Sequence, residues 1–139
     1  MSEGFVPKPE MIKRIIKGND IKDIKDLVEQ AEKIGGGLAN TLKTNQIRAF
    51  FGQVKQIELS VNRDSSKPEN APLETSDQRK LNLLKPKLAY QARRIGSVKP
   101  LEEIISPAID FIENRKEFQN FVDFFEAILA YHKAKGGKD

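Results

Sequence analysis

The chain has 139 residues, no cysteine, one histidine and a formal net charge of +4. That composition excludes disulfides, thiolate chemistry and the common cysteine-based zinc sites, and it leaves no histidine cluster within one chain. Apolar residues at 38% beside 32% charged residues describe a folded, highly charged protein, expected as a single domain over 1–139.

Met11, Ile12, Ile15 and Ile16 predict a short first helix, ended by Gly18-Asn19. Asp20 can cap a second helix with apolar positions at Ile21, Ile24, Leu27, Val28, Ala31 and Ile34. Gly35-Gly36-Gly37 is its expected stop, because glycine enters a left-handed turn at least cost. A third helix over about 44–59 buries Ile47, Phe50, Phe51, Val54 and Ile57. Its other side carries Arg48 and Lys55 with Gly52 and Leu59, free of acids.

Residues 60–75 have no apolar period and are rich in turn formers, so they read as a mobile linker. Thr75 and Gln78 then have the spacing of a capping box. The helix they open begins an acid-free stretch rich in cations: residues 78–101 hold Arg79, Lys80, Lys85, Lys87, Arg93, Arg94 and Lys99. Those seven cations exceed the whole net charge, so the rest of the chain is slightly acidic. Pro86 predicts a kink or break near Lys85. Leu81, Leu84, Leu88, Ala92 and Ile95 share one stripe, with Arg79, Lys80, Lys87 and Arg94 opposite, beside Leu83 and Tyr90.

Gly96-Ser97 ends that element, and Pro100 suits the first turn of the next helix. Leu101, Ile104, Ile105, Ala108, Ile109 and Ile112 form its apolar side; Glu102, Glu103, Asp110 and Glu113 form an acidic one, and Pro107 predicts a second kink. The last helix starts near Arg115 and ends before Gly136-Gly137. It has two apolar stripes. Phe118, Phe121, Val122, Phe125, Ile128, Leu129 and His132 read as core, with His132 bonded to a carbonyl near the helix end. Phe124, Ala127 and Tyr131 form the second, which is either buried by a further helix or turned toward another subunit. In so small a domain the subunit contact is favoured, through Phe124 and Tyr131. No stretch alternates at period two. The fold class is therefore all-α, a single small bundle of five to six helices.

Catalytic candidates are weak. Asp20, Asp23 and Asp26 alternate with Lys22 and Lys25 as on an ordinary solvated surface, and Asp123 with Glu126 lacks a third ligand. The triple glycine is not followed by the Lys-Ser/Thr of a phosphate loop. No metal or cofactor is expected, and no enzyme. The concentrated cations with an outward aromatic instead suit a polyanion, whose phosphates they neutralise and whose bases can stack on Tyr90. No apolar run approaches the ~20 residues that cross a bilayer. Met1-Ser2-Glu3-Gly4-Phe5 has no basic start or apolar core of a signal peptide, so the cytoplasm is expected and a membrane partner is not.

Four strings together carry a resemblance. They are Thr44-Asn45-Gln46-Ile47-Arg48 with Phe50-Phe51, Leu84-Lys85-Pro86-Lys87-Leu88-Ala89-Tyr90, Phe121-Val122-Asp123-Phe124-Phe125-Glu126-Ala127-Ile128, and Ala130-Tyr131-His132-Lys133. From residue 44 onward the chain resembles the small subunit of the type III-A CRISPR effector, the Csm complex; residues 1–43 match only in helical character. The resemblance implies a non-catalytic helical bundle, several copies of which lie beside repeated backbone subunits along the channel where CRISPR RNA pairs with target RNA. Implied partners are both RNAs, the backbone and large subunits, and further copies of the chain. The family's basic groove maps onto Arg48, Lys55, Lys85, Lys87, Arg93 and Arg94. Two other classes are consistent with the basic helix: a helical DNA-binding regulator, and a plain adaptor whose basic helix docks the acidic 101–113 surface of a neighbour. A helix-turn-helix wants a short polar recognition helix after a tight turn, whereas this basic helix is long and follows a linker.

Overall fold

The computed structural model describes residues 4–139; the extreme N-terminus read above for a leader, 1–3, lies outside them. The described residues form seven α-helices and one 3-10 turn: α1 (Pro9–Lys17), α2 (Ile21–Leu38), α3 (Thr44–Val61), α4 (Thr75–Asn82), α5 (Leu84–Arg94), the turn Gly96–Val98, α6 (Lys99–Asp110) and α7 (Arg115–Ala134). The all-α expectation holds. The count is one higher because the basic helix is divided.

The physical reason for the division is Pro86. Its ring nitrogen cannot bond the carbonyl four residues back, at Asn82, and the ring crowds that carbonyl. The break therefore falls at Leu83, just after α4, rather than at Lys85. Leu83 keeps right-handed backbone angles (φ −70°, ψ −12°), so the phase survives and Leu81, Leu84, Leu88 and Ala92 are all buried. The anticipated Thr75–Gln78 capping box does not form. Gln78 donates instead to the Leu73 carbonyl at 2.8 Å.

α7 is the central element, with α1, α2 and α3 packed on it. Phe118, Phe121, Phe124 and Phe125 are fully buried. This corrects the expectation for Phe124, which is not a solvent-facing contact for another subunit. The helix is wrapped on both sides, so both of its stripes are core, and Tyr131 is half-buried beside α2. His132 is also buried; its Nε2 lies 2.5 Å from the Leu42 carbonyl and its Nδ1 3.3 Å from the Thr44 hydroxyl. A carbonyl only accepts, so Nε2 carries a proton and donates to Leu42. Gly136, with φ 94°, closes α7: Gly137 N–H bonds the His132 carbonyl at 2.8 Å and Gly136 N–H that of Lys133 at 3.1 Å. Lys138 then accepts from Thr44 N–H at 2.7 Å, tying the tail to the start of α3.

The triple glycine does not end α2, which runs through it to Leu38. Glycine is needed there for contact. A Cβ on Gly35 would stand 2.7 Å from the His132 nitrogen and 2.8 Å from the Ile128 carbonyl, both backbone atoms of α7. Gly35→Ala is thus expected to destabilise by about 1–3 kcal/mol through overpacking. Gly52 on α3 has nothing within 4 Å of the same added atom. Gly52→Ala should raise stability by about 0.5–1 kcal/mol. Denaturant unfolding of the two variants reads the opposite signs.

Asp20 caps α2 as expected, through reciprocal bonds with Asp23. The first half of the helix, however, is not core. Ile21, Ile24 and Val28 are exposed, and burial begins at Ala31.

The segment following α3 folds back onto the start of α7. Pro72 bridges Asn114, Leu73 is buried, and the Arg115 guanidinium donates to the Lys67 and Val61 carbonyls at 2.9 and 3.1 Å. Arg115→Ala removes both charge-assisted bonds. It should cost about 1–3 kcal/mol locally and speed amide exchange at Ala71 and Leu73 ahead of the core helices.

Candidate nucleic-acid interface

The division of the basic helix leaves one exposed line intact across α4 and α5. Lys80, Leu83, Lys87, Tyr90 and Arg94 are all exposed, Tyr90 at 61%. Lys80, Lys87 and Arg94 recur every seven residues, which sets them on the order of 10 Å apart along nearly continuous helix. Among the described residues none of the three has a carboxylate partner within 4 Å. Lys87 reaches only the neutral Gln53 side chain at 3.2 Å, and the Arg94 guanidinium lies 5.6 Å from the centre of the Tyr90 ring. A cation over an aromatic face is held in place without being neutralised. Lys87 and Arg94 therefore keep their positive charge toward solvent, while Lys80, at the end of the line, shares a crevice with Asp64, Glu74 and Asp77 without forming an ion pair.

The other cations named from the sequence are placed differently. Lys85 is half-buried and bonds Asp110 of α6 at 2.5 Å, so it ties two helices together. Arg93 lies about a quarter turn from Arg94, where it shares a crevice with Ala89, Ala92, Lys99 and Glu102. Lys55 is 2.5 Å from Glu58, and that hydrogen bond raises its pKa above the ordinary lysine value, with Glu126 and Asp123 of α7 adding to the effect. Its ammonium also sits 5.8 Å from the centre of the Phe51 ring. Arg48 is exposed and free of carboxylates within 4 Å among the described residues. It occupies the Gly52–Leu59 line, well over a quarter turn from the positions of α3 that face α5. The expected single groove joining Arg48 and Lys55 to the basic helix is thus not built. Lys55 lies among acids, and Arg48 belongs to another side of α3.

What α3 does present to α5 is a row of amides. Gln46 and Gln53 line a groove of about 380 Å³ between the two helices, together with Lys87, Tyr90 and Gln91. Sequence reading missed these residues and also left Lys80 out of the site. The signal was present: Gln46 and Gln53 are seven apart, on the same side of α3 as Ala49 and Phe50. Amides carry no net charge, so a search for charge passed over them.

Among the described residues there is no group of three His, Cys, Asp or Glu able to hold a metal, and no helix is long and apolar enough to cross a membrane. The acidic side of α6 is partly engaged within the chain itself, through Lys85–Asp110 and Lys99–Glu102.

Comparison with known proteins gives one finding. A family model described as Csm2 Type III-A matches residues 21–138, which spans α2 to α7 and the C-terminal tail. No curated protein and no solved structure matches the chain. The matched span begins well before residue 44, so α2, which had shown only helical character, is part of the family's pattern. With the all-α bundle and the match over most of its length, the chain belongs to the Csm2 type III-A family, the small subunit of the type III-A Csm complex.

Proposed function

We propose that this chain is a non-catalytic subunit that lines the channel where CRISPR RNA pairs with target RNA, and that it grips ribose–phosphate backbone with Lys80, Lys87 and Arg94. The observation that carries this reading is the unpaired, seven-residue recurrence of those cations around an exposed Tyr90. Lysine and arginine on phosphates position a nucleic acid without reading its sequence. Family membership supplies the context, other Csm subunits being its partners. Lys55 and Lys85, named from the family's groove, act chiefly within the fold. Arg48 and Arg93 are peripheral to the line.

Contacts with neighbouring subunits, including further copies, fall on the exposed apolar residues Ile21, Ile24 and Val28 of α2 in place of Phe124. Photo-crosslinking tests the RNA reading directly. Target RNA carrying 4-thiouridine, held in the reconstituted complex, should crosslink to peptides containing Lys87 and Tyr90. Crosslinks confined to other subunits would overturn it, as would metal-dependent RNA cleavage by the isolated chain for the non-catalytic part.

A further inference from the structure

The groove between α3 and α5 has a floor of Ala49, Phe50, Ile95 and Val98 and a rim of amides, with no carboxylate lining it. Its volume of about 380 Å³ falls within the roughly 300–1,000 Å³ of small-molecule pockets. The rim amides have a definite orientation. The Gln46 side-chain oxygen accepts from the Lys43 backbone N–H at 3.2 Å, and the Gln53 oxygen accepts from the Lys87 ammonium at 3.2 Å. Both partners can only donate, so each amide oxygen is committed and each NH₂ group is left free. No hydrogen bond engages either NH₂ among the described residues. The groove thus joins an apolar slot, unspent donors and the cation line at its mouth.

Resting on the reading of the cation line as an RNA contact, we infer that this groove receives one unstacked nucleobase, and prefers a pyrimidine with a keto oxygen rather than an amino group at position 4. A base turned out of a strand would lay its ring on the apolar floor beside Tyr90, while Lys87 and Arg94 hold the phosphates outside. The Gln46 and Gln53 NH₂ groups would donate to a keto oxygen such as O4 of uracil. Where cytosine has an amino group instead, two donors would oppose each other. The flanking positive charge disfavours a basic peptide, the apolar floor beside Tyr90 suits a flat ring better than an acidic side chain, and an apolar side chain would leave the amide donors unmatched.

The test titrates the full-length chain, labelled for amide NMR, with uridine 5′-monophosphate, cytidine 5′-monophosphate and ribose 5-phosphate. The uridine nucleotide is expected to shift the side-chain amide signals of Gln46 and Gln53 and to bind about tenfold more tightly than ribose 5-phosphate, the scale of one stacked base. Cytidine should fall between them. Ala49→Leu, which fills the exposed floor without touching the cations, should bring all three ligands to the ribose 5-phosphate level. Equal binding of nucleotide and sugar phosphate, abolished together by Lys87→Ala, would overturn the base site and leave the phosphate contact standing. Absence of all binding at saturation would overturn the base site, with the RNA reading then judged in the reconstituted complex. Loss of the groove's amide signals on adding a partner subunit without RNA would assign the slot to protein and also overturn it.

Discussion

Replacing Lys80, Lys87 and Arg94 together with alanine is expected to weaken target-RNA binding by the reconstituted complex by on the order of 10²-fold near 0.1 M salt. The arithmetic is that of counterion release: each neutralised phosphate contributes ~0.7 to the log–log salt slope of a single strand, so three contribute about 2. At that concentration the slope converts to about two decades in affinity, and the slope itself should flatten by the same amount. If several copies line one RNA, the effect multiplies along the assembly. The sequence preference of binding should stay as it was, because phosphates carry no base information. A Lys55→Ala, Lys85→Ala double variant is the matched control. It removes two charges of the same sign, but both already face carboxylates, Glu58 and Asp110, so its loss should be far smaller. Unchanged affinity and slope in the triple variant would return the basic line to the status of a solvated surface. Because the three residues are exposed, circular dichroism and unfolding curves should be unaltered.

Phe124→Ala should destabilise the isolated chain by about 3–5 kcal/mol, the cost of emptying a closed aromatic site. Set against the roughly 5–15 kcal/mol that holds a domain together, this is enough to unfold much of the population on mild warming. The residue is 0% exposed on a helix packed from both sides, so nothing can relax into the space without moving α2 or α3. Ile24→Glu with Val28→Glu makes the contrast. Both positions are largely in water, so the double variant should fold normally yet enter the Csm complex poorly. Denaturant midpoints of the isolated proteins and co-purification with the other subunits separate the two effects. A Phe124→Ala chain that folded as well as the parent but failed to assemble would restore the residue to an interface.

Periodicity alone placed most of the helices. The 3.6-residue recurrence of Ile12, Ile15 and Ile16, of Ile47, Phe50 and Val54, and of Phe118, Phe121 and Phe125 each marks a buried stripe. The break at Pro86 was foreseeable within one turn, because it follows from a missing donor. The capping of α2 by Asp20 was legible for the same reason: the chemistry lies within four residues.

Errors arose where a residue's role depended on distant chain. Three consecutive glycines look like a terminator until α7 is known to pass at backbone distance from Gly35, over ninety positions later. Two aromatic stripes on α7 suggest a partner until α2 and α3 are seen to cover both. Ile21, Ile24 and Val28 fit the apolar stripe of α2, yet α1 meets that end through Arg14 and Asp26 and leaves these three side chains exposed.

The sequence by itself determined the helical class, the concentration of positive charge in residues 78–101 and the family resemblance, because periodicity, net charge and local strings are properties of neighbours in the chain. Only the tertiary structure decided which cations are available. Lys85 meets Asp110 and Lys55 meets Glu58, whereas Lys80, Lys87 and Arg94 meet no carboxylate. A formal charge is counted from composition, but its field depends on what stands within a few ångströms, and that is fixed by how the helices pack.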